Sequence, residues 1–282
     1  MSIDVLDMGD PIEFGDTLAN QVLRRLQGDI LSGRFAPGTK LRQKDLGDAY
    51  GTSGSAVREA LTQLVSIGLV VAEPQRGFRV AEASIEDLMD LTKSRCWVEA
   101  IALRSAIARG GRDWEAAIVA AAHMLGREQP KRIAKVSAFE PFDTIDGQWR
   151  QDHQHYHDTL ISACDLTSLL SYRRNLIQLN ERYRRLSSLI QSGRNVAAEH
   201  DAITAAVLAR DSDRAVDLIE AHFLETTARV LAGTSSFQGS ISDTIGKLRA
   251  EIRAGDGRPP GRGRSIASGN TAFQPRKHKA GR

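Results

Sequence analysis

Residues 151–160 read QDHQHYHDTL, with histidines at 153, 155 and 157, in a chain of 282 residues that holds only 7 histidines. Imidazole changes charge near neutral pH and is the commonest metal ligand, so three in five positions point to proton or metal chemistry. On a helix, positions four apart project about 40° from each other, one turn up. His153 and His157 then share a face with Arg150, Leu160, Ile161 and Cys164, whereas His155 points nearly opposite, beside Asp158, Thr159 and Ser162. The spacing predicts an inward pair and one solvated histidine. Two further histidines sit on apolar stripes: His200 with Ile203, Val207 and Leu208, and His222 with Ala215, Leu218 and Ile219.

Four inward imidazoles pose an energetic problem. A buried polar group without partners costs about 1–3 kcal/mol, against about 5–15 kcal/mol of stability for a whole domain. One divalent cation shared by His153, His157, His200 and His222 satisfies all four, and structural zinc sites contribute on the order of 10 kcal/mol. The alternative gives each histidine its own hydrogen bond to a neighbouring side chain or carbonyl. An all-imidazole donor set favours zinc, nickel, cobalt or copper over manganese, with zinc or nickel foremost.

The surrounding residues speak against catalysis. Zinc hydrolases of the HExxH type need a glutamate beside the first histidine to act as base, and residue 154 is Gln. No Ser-His-Asp order or phosphate loop stands out. A sensor needs other parts, chiefly a charge to capture an effector. Arg95 lies on one stripe with Leu88, Leu91, Val98 and Ala102, and can hold one end of a small carboxylate whose other end meets the metal. The alternative is a structural pair with Glu99 at i,i+4. Arg150, one turn before His153, is a second effector candidate.

These residues require a helical scaffold, and the chain supplies one. From Ser84 to about residue 234 the sequence is a succession of amphipathic segments with short polar connections, an all-α bundle of six to seven helices. Ahead of it lies a different pattern. Thr17–Ser32 has helical spacing closed by Gly33; QKDLGDAY (43–50) ends at Gly51; SAVREALTQLVSIG (55–68) is a third helix. LVVAEPQRGFRVAE then reads as strand, tight turn and strand. Three helices and a β-hairpin form the outline of a winged helix-turn-helix. The fold class expected is thus mainly α, with a winged helix-turn-helix followed by an all-α bundle.

A helix-turn-helix places the start of its second helix in the major groove. That start carries Ser53, Ser55 and Arg58, with Thr62 and Gln63 one turn on. The guanidinium of Arg58 matches guanine O6/N7 or a phosphate. At the hairpin tip, Arg76 beside Gly77 can enter the minor groove. The net charge of +3 is small, but positive residues crowd 24–44 and the region after 246.

The stretch GRFAPGTKLRQKDLGDAYGTSGSAVREALTQLVSIGLVVAEPQRGFRVAE closely resembles the DNA-binding domain of GntR-family bacterial regulators, through its PG-x-x-L, VREAL, L-x-x-x-GLV and RGF-x-V elements in order. The helical remainder resembles the ligand-binding FCD domain of the FadR-type subgroup. The resemblance implies a homodimer on a double-stranded operator, and a metal held by an aspartate and a histidine four apart plus two histidines from the last helices. His157, His200 and His222 match the three histidines, while His153 occupies the aspartate position and takes over its role; Asp152 is turned about 100° away. Arg95 matches the arginine of the family's R-x-x-x-E pattern. Gly54 and Ala56 stand where members often carry arginine and proline, so the operator sequence does not carry over.

The domain boundaries expected are an arm over 1–15, the winged domain over 16–82, the effector and metal domain over 83–234, and a basic, disordered tail over 235–282. The start, MSIDVLDMGD, lacks a signal's apolar core. No apolar run is long enough to span a membrane. Cys96 and Cys164 lie far apart without metal spacing, the pattern of buried thiols in a reducing cytoplasm.

Overall fold

The computed structural model describes residues 17–127, 146–186, 194–234 and 237–257. The expected arm, 1–15, and the stretch from 258 onward lie outside the described residues.

The winged domain begins with α1 (Leu18–Leu31), capped by Thr17, whose hydroxyl accepts from the Asn20 amide, and buries Val22, Leu26 and Ile30. Helix α2 (Gln43–Tyr50) ends where Gly51 takes the left-handed conformation, which costs glycine nothing. Helix α3 (Gly54–Ile67) starts at Ser53, which caps it by accepting from the Ala56 amide, and stops at Gly68, again left-handed. Its buried Val57, Ala60, Leu61 and Leu64 hold it against α1 and seal one core with Leu41, Leu69, Val70 and Val80.

Strands β2 (Val70–Glu73) and β3 (Gly77–Val80) pair antiparallel, with Glu73 opposite Gly77. The structure adds a strand that the sequence reading lacked. β1 (Lys40–Leu41) pairs with β3 on its other edge, giving the order β1-β3-β2. Two residues after a Pro-Gly turn are too few to show a period of two.

The bundle is organised on α4 (Ile85–Arg109), a 25-residue helix capped by Ser84. It packs against α7 (Thr167–Leu186) and α9 (Ser212–Ala232). On the far side, α5 (Arg112–Arg127) packs on α6 (Asp146–Leu160) and α8 (Val196–Leu208), and α8 on α9. Tyr156, Leu103, Ile118, Ile203, Phe223 and Leu224 are buried in the bundle's main core, and Leu88, Tyr183, Val230 and Leu231 form a smaller cluster between α4, α7 and α9.

The expectation of a disordered tail from 235 is corrected by α10 (Ile241–Gly255). Its Leu248 and Ile252 are buried in the bundle core. Trp97 Nε1 donates to the Ile252 carbonyl at 2.9 Å, and Arg253 pairs with Asp217 at 2.9 Å and Glu220 at 3.4 Å. Gly255 lies so close to Trp97 that a Cβ there would fall 2.4 Å from the indole. Arg249 and Arg253, which lower mean hydropathy in this stretch, pair with Glu220 and Asp217 of α9, so composition and packing pointed in opposite directions.

The two domains meet through α7. Leu179 packs on the winged-domain core, Arg182 donates to the Ala81 carbonyl, and Tyr183 accepts at 3.3 Å from the Ser84 amide.

Candidate metal centre

Helices α6, α8 and α9 bring His153, His157, His200 and His222 to one point, each offering a ligand atom, all within 4.8 Å of one another. His157, His200 and His222 are buried and His153 half-buried. The elements that hold them are specific. Tyr156, fully buried beside His157, donates to the His200 carbonyl at 3.1 Å and meets Thr204 at 2.9 Å, which fixes α6 on α8. Trp149 stacks on His153 with ring centroids 4.8 Å apart. His155 is exposed, on the opposite side of α6. Asp152 faces away from the cluster's axis and accepts from Gln148 at 3.0 Å.

The donor set fits a divalent ion. His153 Nε2 and His157 Nε2 lie 3.2 Å apart. Two nitrogens bound at about 2.0–2.1 Å to a tetrahedral ion would be about 3.3 Å apart. The widest spacing in the cluster, no more than 4.8 Å, would close by up to about 1.5 Å to reach that value. His200 Nε2 is buried and, among the described residues, has no hydrogen-bond partner. An orphaned imidazole nitrogen aimed at three others is what a shared cation would satisfy.

The electrostatics agree. Burial, reinforced by the other rings and by Arg95, holds His157 well below its ordinary 6.5. Burial and His222 take His200 down to about 3. Burial takes His222 to about 4, although Glu199 opposes the shift. Neutral imidazoles are the form that ligates.

Beside the cluster opens a cleft whose walls include Arg95, His153, Asn180, Glu181, Arg194 and His222. The guanidinium of Arg95 sits 3.8 Å above the Phe223 ring. Its Nε is 3.9 Å from Glu99, whereas Arg173 is 2.8 Å from the same carboxylate oxygen. Glu99 is therefore chiefly the partner of Arg173, and the structural Arg95–Glu99 pair is the lesser contact. Arg150 pairs with Glu181, a residue of the cleft wall, at 3.6 Å.

Several residues of this neighbourhood escaped the sequence reading. Arg194 precedes α8, where no periodicity reports orientation, yet it grips Glu199 with two hydrogen bonds of 2.7 and 2.6 Å. Arg173 is buried on α7, bonded to Glu99, to Asp158 and, at 3.3 Å, to the His157 carbonyl. A cation amid apolar neighbours was the available signal, the same one that singled out Arg95.

In the winged domain, Ser53, Ser55, Arg58, Thr62, Arg76 and Gly77 are exposed and Gln63 is half-exposed. Ser53 and Ser55 are hydroxyl neighbours at 2.9 Å, and the Thr62 hydroxyl donates to the Arg58 carbonyl at 2.9 Å. Gln75 and Gly77 have positive φ of 59° and 93°, which turn the hairpin tightly around Arg76.

Comparison with known proteins agrees with this architecture. Residues 18–80 match the gntR family of bacterial regulatory proteins, and residues 90–225 match the FCD domain. The chain is 36% identical over 213 residues to the uncharacterized HTH-type transcriptional regulator BphR of Paraburkholderia xenovorans (strain LB400), covering 75% of this chain and 84% of that one. It is 36% identical over 206 residues to the HTH-type transcriptional repressor GlaR of Escherichia coli (strain K12), covering 71% and 90%. Among solved structures, E. coli McbR/YncC shares the fold with a TM-score of 0.58 at 19% identity, over 77% of this chain and 98% of that one. A putative regulator from Rhodococcus sp. RHA1 does so with a TM-score of 0.57 at 20% identity, over 77% and 98%. No described helix is long and apolar enough to cross a membrane. The chain belongs to the GntR family of bacterial regulatory proteins, as a DNA-binding transcriptional regulator with an FCD domain and not an enzyme.

Proposed function

We propose that this regulator's affinity for its operator is set by a small carboxylate metabolite bound at a divalent metal centre, zinc or nickel, in the FCD domain. The observation that carries the reading is the convergence of four imidazoles from three helices beneath a cleft with two arginines. His153, His157, His200 and His222 would hold the ion, which supplies a fixed positive charge for one carboxylate oxygen. Arg95 faces the same cleft and suits the other end of the acid, with Arg150, paired to Glu181 of the cleft wall, as the second candidate.

Helix α7 supplies a route from cleft to DNA. Ile177, Asn180 and Glu181 line the cleft, and Leu179 and Arg182 on the adjoining turn hold the winged domain. An acid that draws on the cleft wall shifts α7 and, with it, α1 and the wing. The response is then set by the acid's differential affinity for the two arrangements. Ser53, Ser55, Arg58, Thr62 and Gln63 would read the major groove, and Arg76 and Gly77 the flanking minor groove or backbone. A homodimer would set two such heads about 34 Å apart on a palindromic operator.

The test is to recover the DNA bound by the full chain genome-wide, then to measure affinity for a recovered fragment with metal-loaded and metal-stripped protein while titrating small carboxylates. The reading expects an acid that changes DNA affinity only when metal is present. An equal response without metal, or none across the acids, contradicts it.

A further inference from the structure

His222 Nδ1 lies 2.8 Å from Glu199 Oε2 and 3.1 Å from Arg194 Nη2. These two contacts make opposite demands on the ring. A carboxylate only accepts, so a bare Nδ1 would set lone pair against lone pair at 2.8 Å; Nδ1 therefore carries the proton and donates to Glu199. Arg194 loses nothing by this. Its Nη2 donates to Glu199 Oε2 at 2.6 Å and to the His222 carbonyl at 2.9 Å, its Nε to Glu199 Oε1 at 2.7 Å, and its Nη1 to Thr226 at 2.9 Å. The Arg194 side chain is almost fully buried, while the Glu199 carboxylate it grips is half-buried. With Nδ1 protonated, the free lone pair of His222 belongs to Nε2.

We infer that Glu199 is a positioning residue of the metal centre, fixing His222 as an Nε2 donor, with Arg194 holding the carboxylate in place. The inference rests on the metal reading above and adds to it. All four proposed ligands are uncharged, and Arg95 and Arg194 both face the cleft beside them. The Glu199 carboxylate is bonded directly to a ligand ring, so it raises that ring's basicity and offsets part of the ion's charge. Residues in this outer position change metal affinity by about 10–100-fold in other proteins.

The experiment titrates the metal-stripped full chain with cobalt(II) against a chelator of known affinity, for wild type, Glu199→Gln and Glu199→Ala. Visible spectra of the cobalt forms and thermal melts of the stripped forms accompany it. Glu199→Ala is expected to bind cobalt about 10–100-fold more weakly. Glu199→Gln is expected to bind weakly by a smaller factor, because its amide oxygen still accepts the Nδ1 proton. Both should shift the cobalt ligand-field bands, and stripped Glu199→Gln should melt close to wild type. Wild-type affinity and unshifted bands in both variants would overturn the inference. Where Glu199→Ala does not fold, Glu199→Gln decides alone by the same two outcomes. A wild type that takes up no cobalt sinks the metal reading itself, a result distinct from variants that bind as well as wild type does.

Discussion

The two domains place function on opposite sides of the water boundary. In the winged domain the groups assigned to DNA are exposed, lie within 25 residues of sequence from Ser53 to Gly77, and surround a core that is wholly apolar. In the bundle the groups assigned to sensing are buried or half-buried, come from helices as far apart as those of His153 and His222, and replace apolar packing at the centre of the fold. A head that reads DNA needs side chains free to meet base edges, so its core and its function do not compete. A sensor that must exclude water keeps polar groups inside, and each carries a desolvation cost until a partner satisfies it. The bundle should therefore be the domain whose stability depends on what it holds.

The largest effect expected is on the cluster itself. His157→Ala removes one of four ligands from a site worth on the order of 10 kcal/mol, so divalent-metal affinity falls on the order of a hundredfold. Metal content after gel filtration checks it, and DNA binding by the full chain without any carboxylate serves as the unaffected control.

Acid should reach the bundle next. His157, His200 and His222 have folded pKa values below the unfolded 6.5. Above 6.5 they are neutral in both states and contribute nothing. Below it the unfolded chain takes up protons that the fold refuses, so stability falls, down to about 4 for His222 and about 3 for His200. Each such group can cost up to about 1.4 kcal/mol per pH unit. Denaturant melts of the metal-stripped protein should lose about 2 kcal/mol or more between pH 6.5 and 5. The same melts with saturating metal should lie at higher stability but fall over the same range, because ligated rings refuse the same protons.

Arg58→Ala tests the head alone. Loss of a bidentate base contact costs about 1–3 kcal/mol and relaxes sequence preference at one position. A phosphate contact instead weakens all sequences alike and lowers the salt dependence. Metal uptake should be unchanged either way.

The smallest effect is expected at the joint between the regions. Arg182→Met leaves the helix intact but removes the bond to the Ala81 carbonyl. DNA affinity and metal affinity should stay near wild type, while the change in DNA affinity caused by the carboxylate shrinks by about 1 kcal/mol. An undiminished response would place the coupling elsewhere than α7.

The same contrast explains what the sequence disclosed. Stops such as Gly51 and Gly68 act within a few residues, so the winged domain was legible down to the helix assigned to DNA. The division of the histidines was legible too, because a 3.6-residue period separates His155 from His153 and His157, and the structure exposes the first and gathers the others with His200 and His222. What failed to show depended on distant partners. The two residues of β1 are a strand only because β3 lies beside them. The α10 segment looked like basic tail until its arginines met Asp217 and Glu220. Arg194 sits outside any helix, so nothing in its own neighbourhood could aim it at Glu199 and His222.

X-ray absorption at the metal edge of the full chain loaded with one equivalent of zinc or nickel tests the centre most directly. The account predicts nitrogen neighbours at about 2.0–2.1 Å, with the outer-shell scattering of three or more imidazole rings. A first shell of oxygen without imidazole scattering, or an ion washed away by buffer exchange, would contradict it.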